Sequence, residues 1–220
     1  IVTGASGFIG RNFLLAIPRG WKTVALYNRS KDFVSFLQKN RLKQVFPVQC
    51  DLSDAASLRR RRTLTQKKFE ACLYLAANGD PTFSVAHPEL DFEMTALTLM
   101  NFLSYVKVKK LVYVSSGAVY HGNRGTVSPK TPLRPSLPYA ISHLVAERYV
   151  RFFCEQRKNP NEFLITRFFG AYGPYEPPRK IYTKLVKSFS KGKCRSFSIR
   201  GNGKNLIDGM HVSDAVSALL

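Results

Sequence analysis

The stretch IVTGASGFIG, residues 1–10, decides how the rest of the chain is read. Ile1-Val2-Thr3 is β-branched throughout and reads as the inside of a strand. Phe8, Ile9, Phe13, Leu14 and Ile17 then recur at helical spacing until Pro18-Arg19-Gly20 ends the pattern. Between strand and helix sit Gly4, Gly7 and Gly10. A G-x-x-G-x-x-G run carries little weight alone. A strand before it and an amphipathic helix after it supply the setting that a dinucleotide phosphate site requires. Gly4 then makes the tight turn, Gly7 lets a pyrophosphate approach the backbone, and Gly10 lets helix and strand pack closely. Ser6, Phe8 and Ile9 complete the turn and the helix start, whose free N–H groups face the phosphates. The competing reading is a glycine turn kept only for packing.

Outward from this turn, apolar runs and helical patterns alternate. Residues 23–27, 44–48, 71–77, 110–116 and 163–169 read as strands. Residues 31–39, 54–64, 89–106, 139–156 and 181–189 read as helices. Continuous apolar strands separated by helices predict an α/β fold, a Rossmann-type doubly wound parallel sheet covered on both faces. After Gly170 the texture turns to Gly, Pro and Tyr. The expected organisation is a nucleotide-binding domain over 1–169, the start of a small, largely C-terminal substrate lobe over 170–200, and a segment over 201–220 returning toward the first domain. The opening inside a strand and the close inside a helix, VSDAVSALL, predict a natural chain that extends past both ends.

The 220 residues, 45% hydrophobic, suffice for one substantial core. No apolar run approaches the roughly 18 residues of a membrane span. Cys50, Cys72, Cys154 and Cys194 form no C-x-x-C pair and point to a reducing compartment, so a cytoplasmic location is expected. The scattered histidines show no metal-ligand spacing. The formal charge of +20 is spread evenly, with 17 Lys plus Arg in each half of the chain against 8 and 6 acidic residues. The one dense run, RRRR at residues 59–62 with Lys67 and Lys68 nearby, reads as a solvated helix face or as a docking surface for an acidic partner or anionic surface. Nucleic acid is not the expected partner, because no stretch interleaves aromatic with basic residues.

The end of the second strand should meet the adenosine ribose. An acid there would accept a bond from a free 2′-hydroxyl, but LYNRS has none. Arg29, helped by Asn28 and Ser30, suits a 2′-phosphate instead, which tilts the expectation to NADP(H) over NAD(H). Asp51, in CDLSD, either accepts from the adenine amino group or caps the following helix.

The motifs TGASGFIG, CDLSD, YLAA, VYVSSGAVY, PYAISH and RFFGAYGP follow one another with the later PPRKIYTKLV and GNGKNLIDGMHVSD. In that order and spacing the chain resembles the NAD-dependent epimerase/dehydratase family, extended short-chain dehydrogenases/reductases that act on nucleotide sugars. The resemblance implies that Ser116 polarises the sugar oxygen and that Tyr139 exchanges the proton as hydride moves. It places Leu52, Leu75, Ala76 and Ala77 against the cofactor, together with Tyr139 and the residue four positions on. It puts Ser115, Arg167 and Arg179, with Lys180 beside it, on the substrate side. It also implies a nucleotide-diphosphate sugar as substrate and a homodimer as assembly.

Two positions depart from the family pattern. His143 stands where the family has a lysine that holds the nicotinamide ribose and lowers the phenol pKa, and Thr95 stands where an asparagine is usual. A phenol near pKa 10 is a poor base, and lowering it by about 3 units takes about 4 kcal/mol of fixed positive charge. Histidine is mostly neutral at pH 7. His143 therefore either bonds the ribose and charges when a tyrosinate forms, or stays a neutral positioning residue in a slowed site. The positions where family dehydratases carry an acid/base pair are Gly117 and Ala118, which weakens a dehydratase reading. An epimerase working through a transient keto sugar is the leading expectation. The alternatives are an NADP-dependent reductase or dehydrogenase and a non-catalytic cofactor-binding protein.

Overall fold

A computed structural model of the chain describes residues 1–155, 162–190, 196–198, 201–204 and 208–220. Six strands make one parallel sheet: β1 Val2–Thr3, β2 Thr23–Tyr27, β3 Val45–Gln49, β4 Lys68–Tyr74, β5 Lys107–Ser116 and β6 Glu162–Phe168. Their spatial order is β3-β2-β1-β4-β5-β6, so the chain reverses direction across the sheet between β1 and β4. That reversal opens the crevice in which doubly wound folds bind ligands. Pro47 is tolerated within β3 because β3 is an outer strand.

The helices are α1 Phe8–Ala16, α2 Phe33–Lys39, α3 Ala55–Arg60, α4 Arg62–Thr65, α5 Pro81–Ala86, α6 Pro88–Phe92, α7 Thr98–Tyr105, α8 Pro138–Glu155, α9 Ile181–Phe189 and α10 Val212–Leu219. Side-chain alternation along β4 sends Cys72 and Tyr74 to the face covered by Leu58, Leu64, Phe102, Val106, Ala146 and Val150. It sends Leu73 to the opposite face, with Phe13, Leu14, Phe33, Leu37 and Val216. The sheet is thus buried on both sides, as the apolar runs predict. Strands β7 Ala171–Tyr172 and β8 Met210–His211 pair in parallel, and Val212 and Val216 of α10 bury against the α1 side of the core.

Several boundaries differ from the sequence reading. The strand expected at 71–77 starts and stops three residues earlier. Leu75 and Ala76 leave the ladder and donate their N–H groups to Thr3 Oγ1 at 3.0 and 3.1 Å. The helix expected at 54–64 breaks at Arg61, whose φ/ψ of −83°/82° is not helical. The helix expected at 89–106 contains a π-turn, Glu93–Leu97, between α6 and α7. Gln156, Cys194 and residues 205–207 of the GNGKNLIDG motif lie outside the described residues. Among those described, no helix is long and apolar enough to cross a membrane.

Candidate functional site

The glycine turn lies where β1 ends at the crevice. Gly4 has φ +60°, and a Cβ there would stand 2.9 Å from the backbone of Leu75 and Ala76. A Cβ on Gly10 would stand 2.6 Å from Gly4 O and 2.7 Å from Ala5, so only glycine lets α1 start this close to the turn. Gly7 is the N-cap residue of α1 and offers no side-chain cap, which leaves the first N–H groups of the helix unclaimed by one. Phe8 and Ile9 pack against the core on this side of the sheet, so with Gly10 they shape the turn from behind.

A cavity of about 440 Å³ opens in front of this turn. Of the residues singled out in the sequence, Gly4, Ser6, Gly7, Asn28, Arg29, Ser30, Asp51, Leu52, Leu75, Ala76 and Ala77 line it. They come from the C-terminal ends of β1, β2, β3 and β4, which the parallel sheet places on one edge. The two readings of Asp51 separate here. The cap of α3 is Asp54, which accepts from Ser57 N–H at 2.9 Å, whereas Asp51 closes a turn on Ser53 and lines the cavity. Burial acts to raise the Asp51 pKa, and the bonds from Ser53, the nearby Asn28 amide and the Arg29 charge outweigh it, holding the carboxyl below its ordinary value.

Ser30 is not free to serve a phosphate. Its hydroxyl donates to Asp32 Oδ1 at 2.8 Å and accepts from Arg11 Nη2 at 3.2 Å. Arg11, only 9% exposed, also donates to Ser6 O at 2.9 Å and to Asp32 at 2.8 Å, and it lies 4.8 Å from the Phe36 ring centre. It ties the glycine turn to the loop after β2. Sequence reading passed over Arg11. The available signal was a single charge on the otherwise apolar face formed by Phe8, Phe13 and Leu14.

At the other end of the crevice, Ser116 is the last residue of β5 and Tyr139 the second residue of α8. Their side chains come near enough for the Ser116 hydroxyl to act on the Tyr139 phenol. Ser116 Oγ also accepts the Ala118 N–H at 3.1 Å, and Ser84 Oγ accepts the Tyr139 N–H at 3.1 Å, which holds the start of α8 against α5. Burial raises the Tyr139 phenol above its ordinary pKa; the nearby Ser116 hydroxyl opposes this and the Asp91 charge adds to it. His143 lies one turn along α8, its ring centre 4.7 Å from that of Tyr139. It is 3% exposed, and Nδ1 is 3.1 Å from the Tyr113 hydroxyl. Burial lowers its pKa to about 4 despite the opposing pull of Asp91 and Glu147. The imidazole is therefore neutral, and its buried Nε2 has no protein partner. The charged form considered from sequence is disfavoured because a cation here loses its hydration.

Around this pair runs a buried polar frame that the sequence did not disclose. Asp91, fully buried, accepts from Asn78 Nδ2 at 2.7 Å and from Ser142 Oγ at 2.6 Å. Thr95 Oγ1 accepts the Asn78 N–H at 3.2 Å from within the π-turn, so Thr95 supports the loop after β4 through its hydroxyl. Ser115, adjacent to Ser116 on a strand, points to the opposite face. It donates to Glu147 Oε1 at 2.7 Å, away from the pair. Arg167 grips the same Glu147 with two bonds, 3.0 and 2.8 Å, and donates to Tyr120 Oη at 2.6 Å. Ser115 and Arg167 thus belong to one ion-pair network around Glu147. Arg179 is likewise occupied. It pairs with Asp80 at 2.9 Å and donates to Gly79 O at 2.9 Å, clamping the segment before α9 onto the loop after β4.

Gly117 packs tightly against the Phe169 ring. A Cβ there would meet the Phe169 ring at 2.7 Å, and that ring stacks on Tyr120.

Over its whole length, residues 1–220, the chain matches the family described as NAD dependent epimerase/dehydratase. The chain belongs to that family. It is 27% identical over 233 aligned residues to the dTDP-D-glucose 4,6-dehydratase of Homo sapiens, covering all of this chain and 64% of that protein. The chain thus spans just under two thirds of the length of this curated relative. Among solved structures it resembles the UDP-glucose 4-epimerase of Thermotoga maritima with UDP-glucose, at 25% identity and a TM-score of 0.84 over 99% of this chain and 70% of that one. It also resembles MoeE5 in complex with UDP-glucose and NAD, at 26% identity and a TM-score of 0.82 over 99% of this chain and 69% of that one. The proteins this chain is similar to thus include one named as a dehydratase and one named as an epimerase.

Proposed function

We propose that this chain carries the cofactor cradle and the acid–base pair of an NAD(H)-dependent nucleotide-sugar epimerase that works through a transient keto sugar. The observation that carries the reading is the approach of Ser116 to Tyr139 at the sheet edge that also holds the glycine turn. The backbone-tight glycines fit a pyrophosphate, since side chains at Gly4 or Gly10 would fill the space the turn needs. NAD(H) bound there would supply the hydride acceptor and donor. Ser116 Oγ would hold the sugar oxygen, and Tyr139 Oη would take and return its proton.

NAD(H) is favoured over the NADP(H) expected from LYNRS. Ser30 is engaged by Arg11 and Asp32, and the Asp32 carboxylate beside it would repel a 2′-phosphate. NAD is also the cofactor in the MoeE5 complex. Dehydration fits less well although a curated relative is a dehydratase, because Phe169 fills the space that a carboxylate side chain at position 117 would take and Ala118 carries only a methyl group.

A second reading is a cofactor- and sugar-binding protein with little turnover, and the neutral His143 favours it. Burial raises the Tyr139 phenol above its ordinary range, which makes it a poorer base at neutral pH. The full-length protein incubated with NAD(H) or NADP(H) and a panel of UDP-, GDP- and dTDP-sugars separates these readings. Epimer formed without net change in cofactor absorbance supports the proposal. Stoichiometric cofactor consumption marks a reductase, loss of water from the sugar marks a dehydratase, and binding without product marks the second reading.

A further inference from the structure

Because the strands are parallel, their N-terminal ends share the edge opposite the glycine turn. Lys22 precedes β2, Arg41 and Lys43 precede β3, Lys67 and Lys68 lead into β4, and Lys107 opens β5; all six are exposed. At a strand spacing of about 4.8 Å they form a basic rim about 20 Å long. None of them has an ion-pair partner. The chain offers none, since all 14 of its Asp and Glu residues lie within the described residues. The acids on this side, Glu70, Glu155 and Glu162, are taken by Lys109 at 2.7 Å, Arg151 at 3.6 Å and Lys110 at 3.2 Å.

Lys68 stands directly opposite Lys107 in the β4–β5 register. Like charges facing each other across a strand pair destabilise a sheet, so the fold maintains this rim at its own cost. At the β2–β3 end of the rim, Trp21 and Phe46 are 45% and 50% exposed.

We infer that this edge docks on an anionic membrane surface. Mobile lipid headgroups neutralise cations spread along a rim without needing fixed geometry. An exposed Trp and Phe beside those cations suit the headgroup boundary, where aromatic rings settle. A nucleic-acid track interleaves aromatic rings with cations along its length, whereas here both rings sit at one end. Docked through this edge, the protein keeps the mouth of its cofactor crevice turned toward water. The inference is independent of the reaction proposed above.

The test is sedimentation of the full-length protein with phosphatidylcholine vesicles, with and without about 30% phosphatidylserine. Binding should be at least about tenfold stronger to the anionic vesicles and be lost in about 0.5 M salt. Reversing Lys22→Glu, Lys43→Glu and Lys68→Glu together should weaken it at least about tenfold, against less than about twofold for Arg124→Glu, Lys130→Glu and Arg148→Glu. Lys107→Glu should raise the melting temperature, by giving Lys68 a partner, and lower vesicle binding. Equal binding to neutral vesicles, equal loss in the two triple variants, or tighter binding to single-stranded oligonucleotides would overturn the inference.

Discussion

At the glycine-turn end of the crevice, backbone meets backbone so closely that a Cβ on Gly4 or Gly10 would overlap its neighbours, and Arg11 ties the turn to the next loop. At the other end Ser116 lies near Tyr139, but one helical turn on sits a neutral imidazole beside Tyr113, with the Asp91 carboxylate near enough to oppose ionisation of the phenol. The first end needs only shape and N–H groups, which glycine positions supply. In the reaction proposed above the second also needs positive charge, which a buried neutral histidine does not provide. Under that proposal, binding and turnover are separable demands on one fold.

Removing the Tyr139 hydroxyl breaks the comparison most directly. Tyr139→Phe should lower turnover by about 10²–10⁴-fold while leaving NAD affinity within about twofold. Calorimetric titration alongside the rate assay checks this, and a collapse of both would mean that the two ends are not separable.

The next largest effect is on stability. His143 titrates at 6.5 when unperturbed and at about 4 in the fold, so between those values the unfolded chain binds the extra proton. Stability from this residue is full above about pH 6.5 and lost as pH falls through about 4, on the order of 3 kcal/mol in all. Urea unfolding across that window should show a steeper acid loss for the native protein than for His143→Gln. Parallel curves would place the sensitivity elsewhere.

A smaller effect sharpens the comparison from the other side. His143→Lys should raise turnover at neutral pH, by about tenfold if the cation lowers the phenol by about one unit, with little change in NAD affinity. An unchanged or reduced rate would show that the imidazole is not what limits the site.

The residues differ in how much of this they announce. The turn was legible because a strand, three glycines and an amphipathic helix are all local in sequence, and the sheet was legible because buried parallel strands are written as apolar runs. Ser116 and Tyr139 were legible through motifs, and their convergence required β5 and α8 to pack. The strand shift at 71–77 was hidden, because the hydroxyl that draws Leu75 and Ala76 out of the ladder belongs to Thr3, 72 and 73 residues away.

Neighbours along the chain were enough to specify the class of fold, the glycine turn and the histidine at position 143, since each is local. Folding was needed to make His143 neutral, to set Ser115 and Arg167 on Glu147, to engage Ser30 and Arg179, and to line one edge of the sheet with unpaired cations. Charge state and availability are set by burial and by partners brought from distant segments, and those exist only once the chain has folded.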